Sequence, residues 1–400
     1  MWQGIRRLVP LAVLFALDGV VIASWAVRVP QVKTQVGASA TALGVALLCS
    51  TLGALAVMPI AGRLCHRFGS HRVTVVGSVL LCLVVTLPAL SGSVLGLALG
   101  LLLFGVGYGV NNVGLNSTAV DVETATGRTI MSTLHGLWSV GCLLGALIGG
   151  VAAEHLVPAP HLGLVAVGGL VVTAIVGPAV WRGPVDAPAT APSGDTVAPG
   201  PRAVPTAVIA LGVVALCCAY GEGSMTDWAA LHLTKDLHTG PGTAAYGFAV
   251  YSVAVALGRL VGDVVVTALG RTVVLVGGAV LAAAGMVVGA LAGAVPLVFV
   301  GYVLFGLGIA NAFPIAIARA GALGGPRGVA TASTVGYAGQ LGGPPLIGFL
   351  ADQIGLPAAL CTGAALAVVI AVLGTALRRT TAASAAPLTP AATPTGGDAR

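Results

Sequence analysis

The chain has 400 residues, of which 57% are hydrophobic and only 8% charged, with a mean hydropathy of +1.02. A water-soluble domain carries about 25% charged residues, so too little charge is available to cover a surface facing water, and lipid must be the solvent. The formal net charge of +6 does not point to nucleic acid, because no basic stripe with interleaved aromatics occurs and the arginines lie in short loops between apolar runs.

A helix that crosses hydrocarbon needs roughly 20 predominantly apolar residues. In chain order such runs fall near 8–29, 41–62, 73–90, 94–118, 131–152 and 161–181, and then near 206–230, 244–262, 272–292, 295–318, 329–350 and 356–377. Arg6-Arg7, an apolar stretch and Ala23-Ser24-Trp25-Ala26 superficially resemble a cleaved signal peptide. Asp18 interrupts that stretch, which reads better as a retained first span. Between the two sets, 182–205 is rich in Pro, Ala and Gly and reads as a cytoplasmic linker; residues 380–400 read as a disordered cytoplasmic tail. The expected architecture is an all-α membrane protein of twelve transmembrane helices, with one six-helix bundle over 1–181 and a second over 206–379. Its 59 glycines suit helices that approach closely. The seven cysteines fall mostly inside apolar runs, with no C-x-x-C and no zinc spacing, and read as packing residues.

With the N-terminus in the cytoplasm, fifteen of the eighteen Lys and Arg fall inside, Arg259 among them, and only Arg28, Lys33 and Lys235 fall outside. That bias implies a multi-pass protein of the cell membrane with both termini cytoplasmic. The two sets are also copies of one another. Trp25 and Gly44 match Trp228 and Gly247 at a spacing of 203, Leu103-Phe104-Gly105 matches Leu304-Phe305-Gly306 at 201, and Leu147-Ile148-Gly149 matches Leu346-Ile347-Gly348 at 199. Six plus six helices in one orientation form a parallel repeat, an architecture of secondary carriers.

These features resemble the major facilitator superfamily over nearly the whole chain. The superfamily's loop motif between helices two and three appears as Gly62-Arg63-Leu64-Cys65-His66-Arg67-Phe68-Gly69-Ser70-His71-Arg72, with His66 where an Asp is usual; the second copy, Gly262-Asp263 followed by Gly270-Arg271, keeps the acid. The resemblance implies that these loops lock the outward-facing state, with Asp263 meeting Arg327 or the positive start of helix eleven. Trp25-Ala26-Val27-Arg28-Val29-Pro30, Gly127-Arg128 through His135-Gly136-Leu137-Trp138-Ser139-Val140-Gly141, and Glu222-Gly223-Ser224-Met225-Thr226-Asp227-Trp228 resemble a poorly characterised bacterial branch related to the fucose–proton symporters. That branch commonly has Asp where this chain has Asn112.

Two acids are candidates for proton coupling. Asp18 lies about ten residues into the first span, roughly 15 Å at 1.5 Å per residue. A charged Asp near mid-bilayer costs about 2.5–3.5 kcal/mol on insertion scales, so it should face a polar cavity or be neutral. Glu222 falls at nearly the equivalent point of the seventh span. The expected substrate cavity takes in Trp25, the stripe Tyr108, Asn112 and Asn116 at i, i+4, i+8, His135 with Trp138, Asn311, and Tyr337 with Gln340. Each has a plainer reading as interhelical glue. Arg28 reads as an external gate pairing with Glu222 or Asp227, or as a snorkelling side chain.

No G-x-x-x-x-G-K-[ST], H-E-x-x-H or G-x-S-x-G occurs, so neither an ATPase nor a common hydrolase is indicated. No cofactor or metal is implied. The expected partners are a small-molecule substrate, protons and the lipid bilayer, with the chain a monomer. The expected function is alternating-access transport, as proton-coupled uptake of a sugar-like or other polar neutral solute; the alternative is proton-driven efflux of a drug-like molecule. In intact cells, cysteines placed at 190 and 390 should be shielded from an impermeant thiol reagent and one at 235 should react. External labelling at 190 would reject the six-plus-six topology.

Overall fold

The computed structural model describes residues 2–38, 40–182, 206–239 and 241–384. Most of the expected linker and the tail beyond Ser384 lie outside these residues. The described chain is helical, with no strand among the described residues. The first half comprises α1 (Trp2–Gln35), α2 (Ala40–Phe68), α3 (Ser70–Val84), α4 (Val94–Thr126), α5 (Met131–His155) and α6 (Pro158–Trp181). The second comprises α7 (Thr206–Lys235), α8 (Pro241–Leu260), α9 (Gly262–Leu269), α10 (Arg271–Leu291), α11 (Val295–Ile309), α12 (Ala312–Ile354) and α13 (Leu356–Ser384). The last helix therefore continues past the expected boundary at 379.

Ten helices among the described residues are long and apolar enough to cross a membrane, or eleven if α8 and α9, bent by 53°, count as one span. One candidate, Val295–Gln340, is two passes. Gly325 inside α12 has φ +55 and ψ −149, a backbone that L side chains rarely adopt. The chain reverses there. A Cβ at Gly328 would lie 2.1 Å from the Ala320 carbonyl oxygen, whereas eight residues of continuous helix would separate them by about 12 Å. The tenth span is thus α11 with the first part of α12, interrupted at Asn311, and the eleventh is the remainder of α12. Twelve spans result.

Local signals end the helices. Ser93 accepts a hydrogen bond from Gly96 N at 3.1 Å to cap α4, and Gly127, at φ +65, closes it. Large apolar side chains remain at the surface, Ile175 at 72% and Val264 at 74% exposure, as expected where hydrocarbon is the neighbour.

The repeated tripeptides mark equivalent helix crossings. A Cβ at Gly105 would meet the Ser50 carbonyl oxygen at 1.8 Å, joining α4 to α2; one at Gly306 would meet the Tyr251 oxygen at 2.9 Å, joining α11 to α8. Gly149 faces Val27 on α1, and Gly348 faces Trp228 on α7. At Gly105 and Gly306 backbones touch because no side chain stands between them, the close approach on which membrane helix packing relies. Gly105→Leu should therefore force α2 and α4 apart and lower stability by about 1–3 kcal/mol, as overpacking does. Thermal unfolding of the detergent-purified variant, compared with Leu103→Ala on the exposed side of α4, would reveal it.

Candidate functional site

A cavity of about 520 Å³ lies between the two halves. The first half lines it with Asp18 and Trp25 from α1, Tyr108, Asn112 and Asn116 from α4, and His135 and Trp138 from α5. The second lines it with Glu222 and Asp227 from α7, Arg259 from α8, and Tyr337 and Gln340 from α12. Both expected coupling acids thus share one space with nearly all of the expected cavity residues.

Asp18 is buried at 3% exposure and fully engaged. Its Oδ1 accepts from Asn111 Nδ2 at 2.8 Å and its Oδ2 from Trp138 Nε1 at 2.7 Å. Asn111 in turn accepts from Ser78 Oγ at 2.9 Å, so α3, α4, α1 and α5 are tied through one carboxylate. Both donors are neutral, and no cation forms an ion pair with Asp18 among the described residues. Asn111 was missed by sequence reasoning because it lies beside the Tyr108–Asn112–Asn116 face rather than on it.

Glu222 is held differently. Arg259 Nη2 donates to its Oε1 at 2.5 Å, and Cys218 Sγ approaches the same oxygen at 3.5 Å. The other guanidinium nitrogens of Arg259 reach the Ala310 carbonyl at 3.2 Å and, across the halves, Ser139 Oγ at 3.2 Å. This corrects the sequence reading, which placed Arg259 with the cytoplasmic loops. It is 4% exposed and lies inside the bundle. The signal was available in part: the apolar run of the eighth span reaches Gly258 before it and continues with Leu260 and Val261 after it. It escaped notice because the carboxylate that compensates it lies on another helix.

Further polar contacts across the middle involve tyrosines. Tyr108 and Tyr337 hydroxyls hydrogen-bond to one another, and Asn112 Nδ2 donates to Tyr337 Oη at 3.2 Å. His135 Nε2 lies 3.1 Å from Asn116 Oδ1, with its ring edge-on to Phe15 and Phe313. That fixes the imidazole in place at the boundary between halves.

Two expected members lie elsewhere. Asn311 does not line the cavity; it stands at the break between α11 and α12, where its Nδ2 donates to the Gly258 carbonyl at 3.0 Å. Gly258 lies near the end of α8, where the last carbonyls of a helix need donors, and this amide supplies one. Arg28 pairs with no acid among the described residues. Its Nε donates to His161 Nδ1 at 2.9 Å, and one terminal nitrogen donates to Gln31 Oε1 at 2.5 Å and the Leu156 carbonyl at 3.0 Å. It is wholly buried and fastens α1 to α5 and α6 within its own half.

The loop motifs lie together at one end of the bundle. Gly69 and Gly270 occupy φ +90 and +84 at equivalent turns, where a side chain would be strained. Asp263 does not meet Arg327, which is exposed. Its carboxylate accepts from the backbone N–H groups of Ser132 at 3.2 Å and Thr133 at 2.7 Å, capping the start of α5 rather than of the eleventh span. The positive end of α5 accounts for that choice. Arg271 donates to Glu123 Oε2 at 2.8 Å, while Glu123 Oε1 accepts from Ile130 N and Met131 N at 2.8 and 3.0 Å. In the first copy, Gly62 packs on the start of the eleventh span, where a Cβ would lie 2.6 Å from Ala330 Cβ and 3.1 Å from the Pro326 carbonyl oxygen. His66 is exposed, and Arg67 lies over the Phe68 ring at 5.2 Å. The acid of this copy is Asp121 on α4, which accepts from Ser70 Oγ; sequence reasoning did not single it out.

Two six-helix halves around a central cavity that holds acids, amides and an arginine among apolar walls, closed at one end by paired loops, define a polytopic membrane carrier of the secondary-transporter class. The family model of the Major Facilitator Superfamily matches residues 11–221 and again 211–396, and the chain belongs to that superfamily. It is 34% identical over 382 residues to an uncharacterized MFS-type transporter of Yersinia pestis, covering 94% of this chain and 97% of the relative. It is also 32% identical over 382 residues to an uncharacterized transporter of Sinorhizobium fredii, covering 94% of this chain and 98% of that one. Among solved structures it resembles FucP, a Major Facilitator Superfamily transporter in the outward conformation, with TM-score 0.75, 16% identity and coverage of 92% and 98%. It likewise resembles the human organic anion transporter MFSD10, with TM-score 0.72, 14% identity and coverage of 92% and 99%.

Thr129 and Thr267 hydroxyls lie 3.0 Å apart across the loop end, so cysteines at 129 and 267 should crosslink readily. Asp263→Ala removes an ionised acceptor, whose hydrogen bonds are worth about 1.5–3 kcal/mol, and should lower that crosslinking several-fold. Equal yields with and without Asp263 would mean that this acid holds no closure.

Proposed function

We propose that this carrier is a proton-coupled importer of a small polar neutral solute, sugar-like in its hydroxyl pattern, with the loop-motif end in the cytoplasm. The observation that carries this reading is Asp18, a mid-span carboxyl in the cavity held by two neutral donors and, among the described residues, by no cation. Each oxygen accepts one bond and keeps a lone pair for a proton, but a neutral carboxyl is a weaker acceptor than a carboxylate, so protonation at Oδ2 favours release of the donor there. Displacing Trp138 frees an indole N–H that already lines the cavity and can then donate to a substrate hydroxyl. Proton and solute binding become linked through one shared hydrogen bond. The Glu222–Arg259 pair is the second acid's counterpart, already compensated, and serves to fix α7 against α8 and α5.

The likeness to FucP, the E. coli fucose:proton symporter, supports the same direction of transport, as does the mixture of amides, hydroxyls and aromatic faces around the cavity. A second reading, efflux of an amphiphile, is favoured by the aromatic share of that lining, which includes Phe15, Phe104 and Phe313. Proteoliposomes with an imposed pH gradient, offered a panel of labelled monosaccharides and polyols with fucose among them, separate the two. Import predicts accumulation of at least one of these solutes on the alkaline side.

For that solute, Asp18→Asn should lower proton-driven accumulation tenfold or more while leaving solute exchange largely intact, because the cavity keeps its shape but position 18 no longer carries a titratable proton. Undiminished accumulation by the variant would remove Asp18 as the coupling acid and transfer the assignment to Glu222.

A further inference from the structure

The loop-motif end of the second half holds a separate cavity of about 390 Å³, lined by residues 269–273 together with Arg319, Ala322 and Leu323. It opens on the start of α10. Gly270, the residue before that helix, has no side chain to cap it, and no side-chain cap bond is made. The first N–H groups of a helix lack intrahelical partners and carry the positive end of its dipole.

Two guanidinium groups join them. Arg271 spends one nitrogen on Glu123. Arg319 is 9% exposed and gives Nη2 to the Leu377 carbonyl at 3.3 Å, while its Nη1 is buried without a partner among the described residues. It forms no ion pair among the described residues. A buried guanidinium with an idle donor and no acid opposite is a costly arrangement by itself. A helix N-terminus with two arginines beside it is, in contrast, the donor set that suits a phosphate oxyanion.

We propose that this cavity binds a phosphate-class anion, held by the N-terminus of α10, Arg271 and Arg319. Such an oxyanion is carried both by the headgroup of an anionic phospholipid and by free phosphate. The exposed apolar side chains at its edge, Leu269, Val273 and Leu323 at 57%, 58% and 47%, give an acyl chain a surface to follow, and basic pockets between membrane helices take lipid headgroups.

The test is thermal unfolding of the full-length purified protein in a neutral detergent. One arm adds inorganic phosphate at constant ionic strength; another adds phosphatidylglycerol micelles, compared with phosphatidylcholine micelles. A ligand of the native state raises the Tm with concentration. The wild type should show a saturable rise with phosphatidylglycerol, with inorganic phosphate, or with both, and the active arm identifies the source. The rise should fall by at least half in Arg319→Gln and in Thr272→Glu, which sets a carboxylate where the anion would bind. It should persist in Arg72→Gln, which removes an exposed arginine at the same end of the bundle. If Arg319→Gln does not fold, Thr272→Glu decides the matter. No rise in either arm, or an equal rise in wild type and Thr272→Glu, would overturn the proposal.

Discussion

A polar group inside a membrane bundle has no water to fall back on, so its partner must come from another helix. That constraint organises the interior of this protein. Asp18 gathers Trp138 and Asn111, and through Asn111 reaches Ser78, so that four helices of the first half meet at one carboxylate. Arg259 gathers Glu222, the Ala310 carbonyl and Ser139, and the last of these belongs to the other half. The cavity occurs where these groups converge, because side chains committed to polar contacts do not close over one another as apolar ones do.

The two halves share a backbone plan but not a polar plan. Equivalent glycines bring equivalent helix pairs close together: Gly105 and Gly306 against a neighbouring backbone, Gly149 and Gly348 against a neighbouring side chain. On this common frame α1 and α7 place an acid at nearly the same depth, one held by neutral donors and the other by a cation. Among the described residues, Glu222 has a fixed countercharge in Arg259 and Asp18 has none. That asymmetry is the physical reason for assigning the two acids different tasks.

The ends of the bundle differ as well. At the loop-motif end, acids bind backbone donors and a cation across the halves: Asp263 to the start of α5, Glu123 to Arg271. Arg28 at the other end engages only its own half. Contacts made through helix termini and short loops can be exchanged without unpacking a helix, which suits a closure that must open in each transport cycle.

The class of fold was fully legible in the sequence, since sparse charge, span-length apolar runs and an internal repeat are one-dimensional properties. The inward face of Asp18 and Glu222 and the stripe from Tyr108 to Asn116 followed from the spans and their helical periodicity, and all five residues line the cavity. What the sequence could not supply was partnership between helices. Arg259 read as a loop charge until Glu222 stood beside it. Asn311 read as a cavity amide, yet a break between helices claims it. Asp263 was expected at the eleventh span and instead caps α5, and Asn111 and Asp121 drew no attention. Periodicity tells which face of a helix a residue occupies, but only packing decides which neighbour that face meets, and in a low-dielectric interior the neighbour determines what a charge can do.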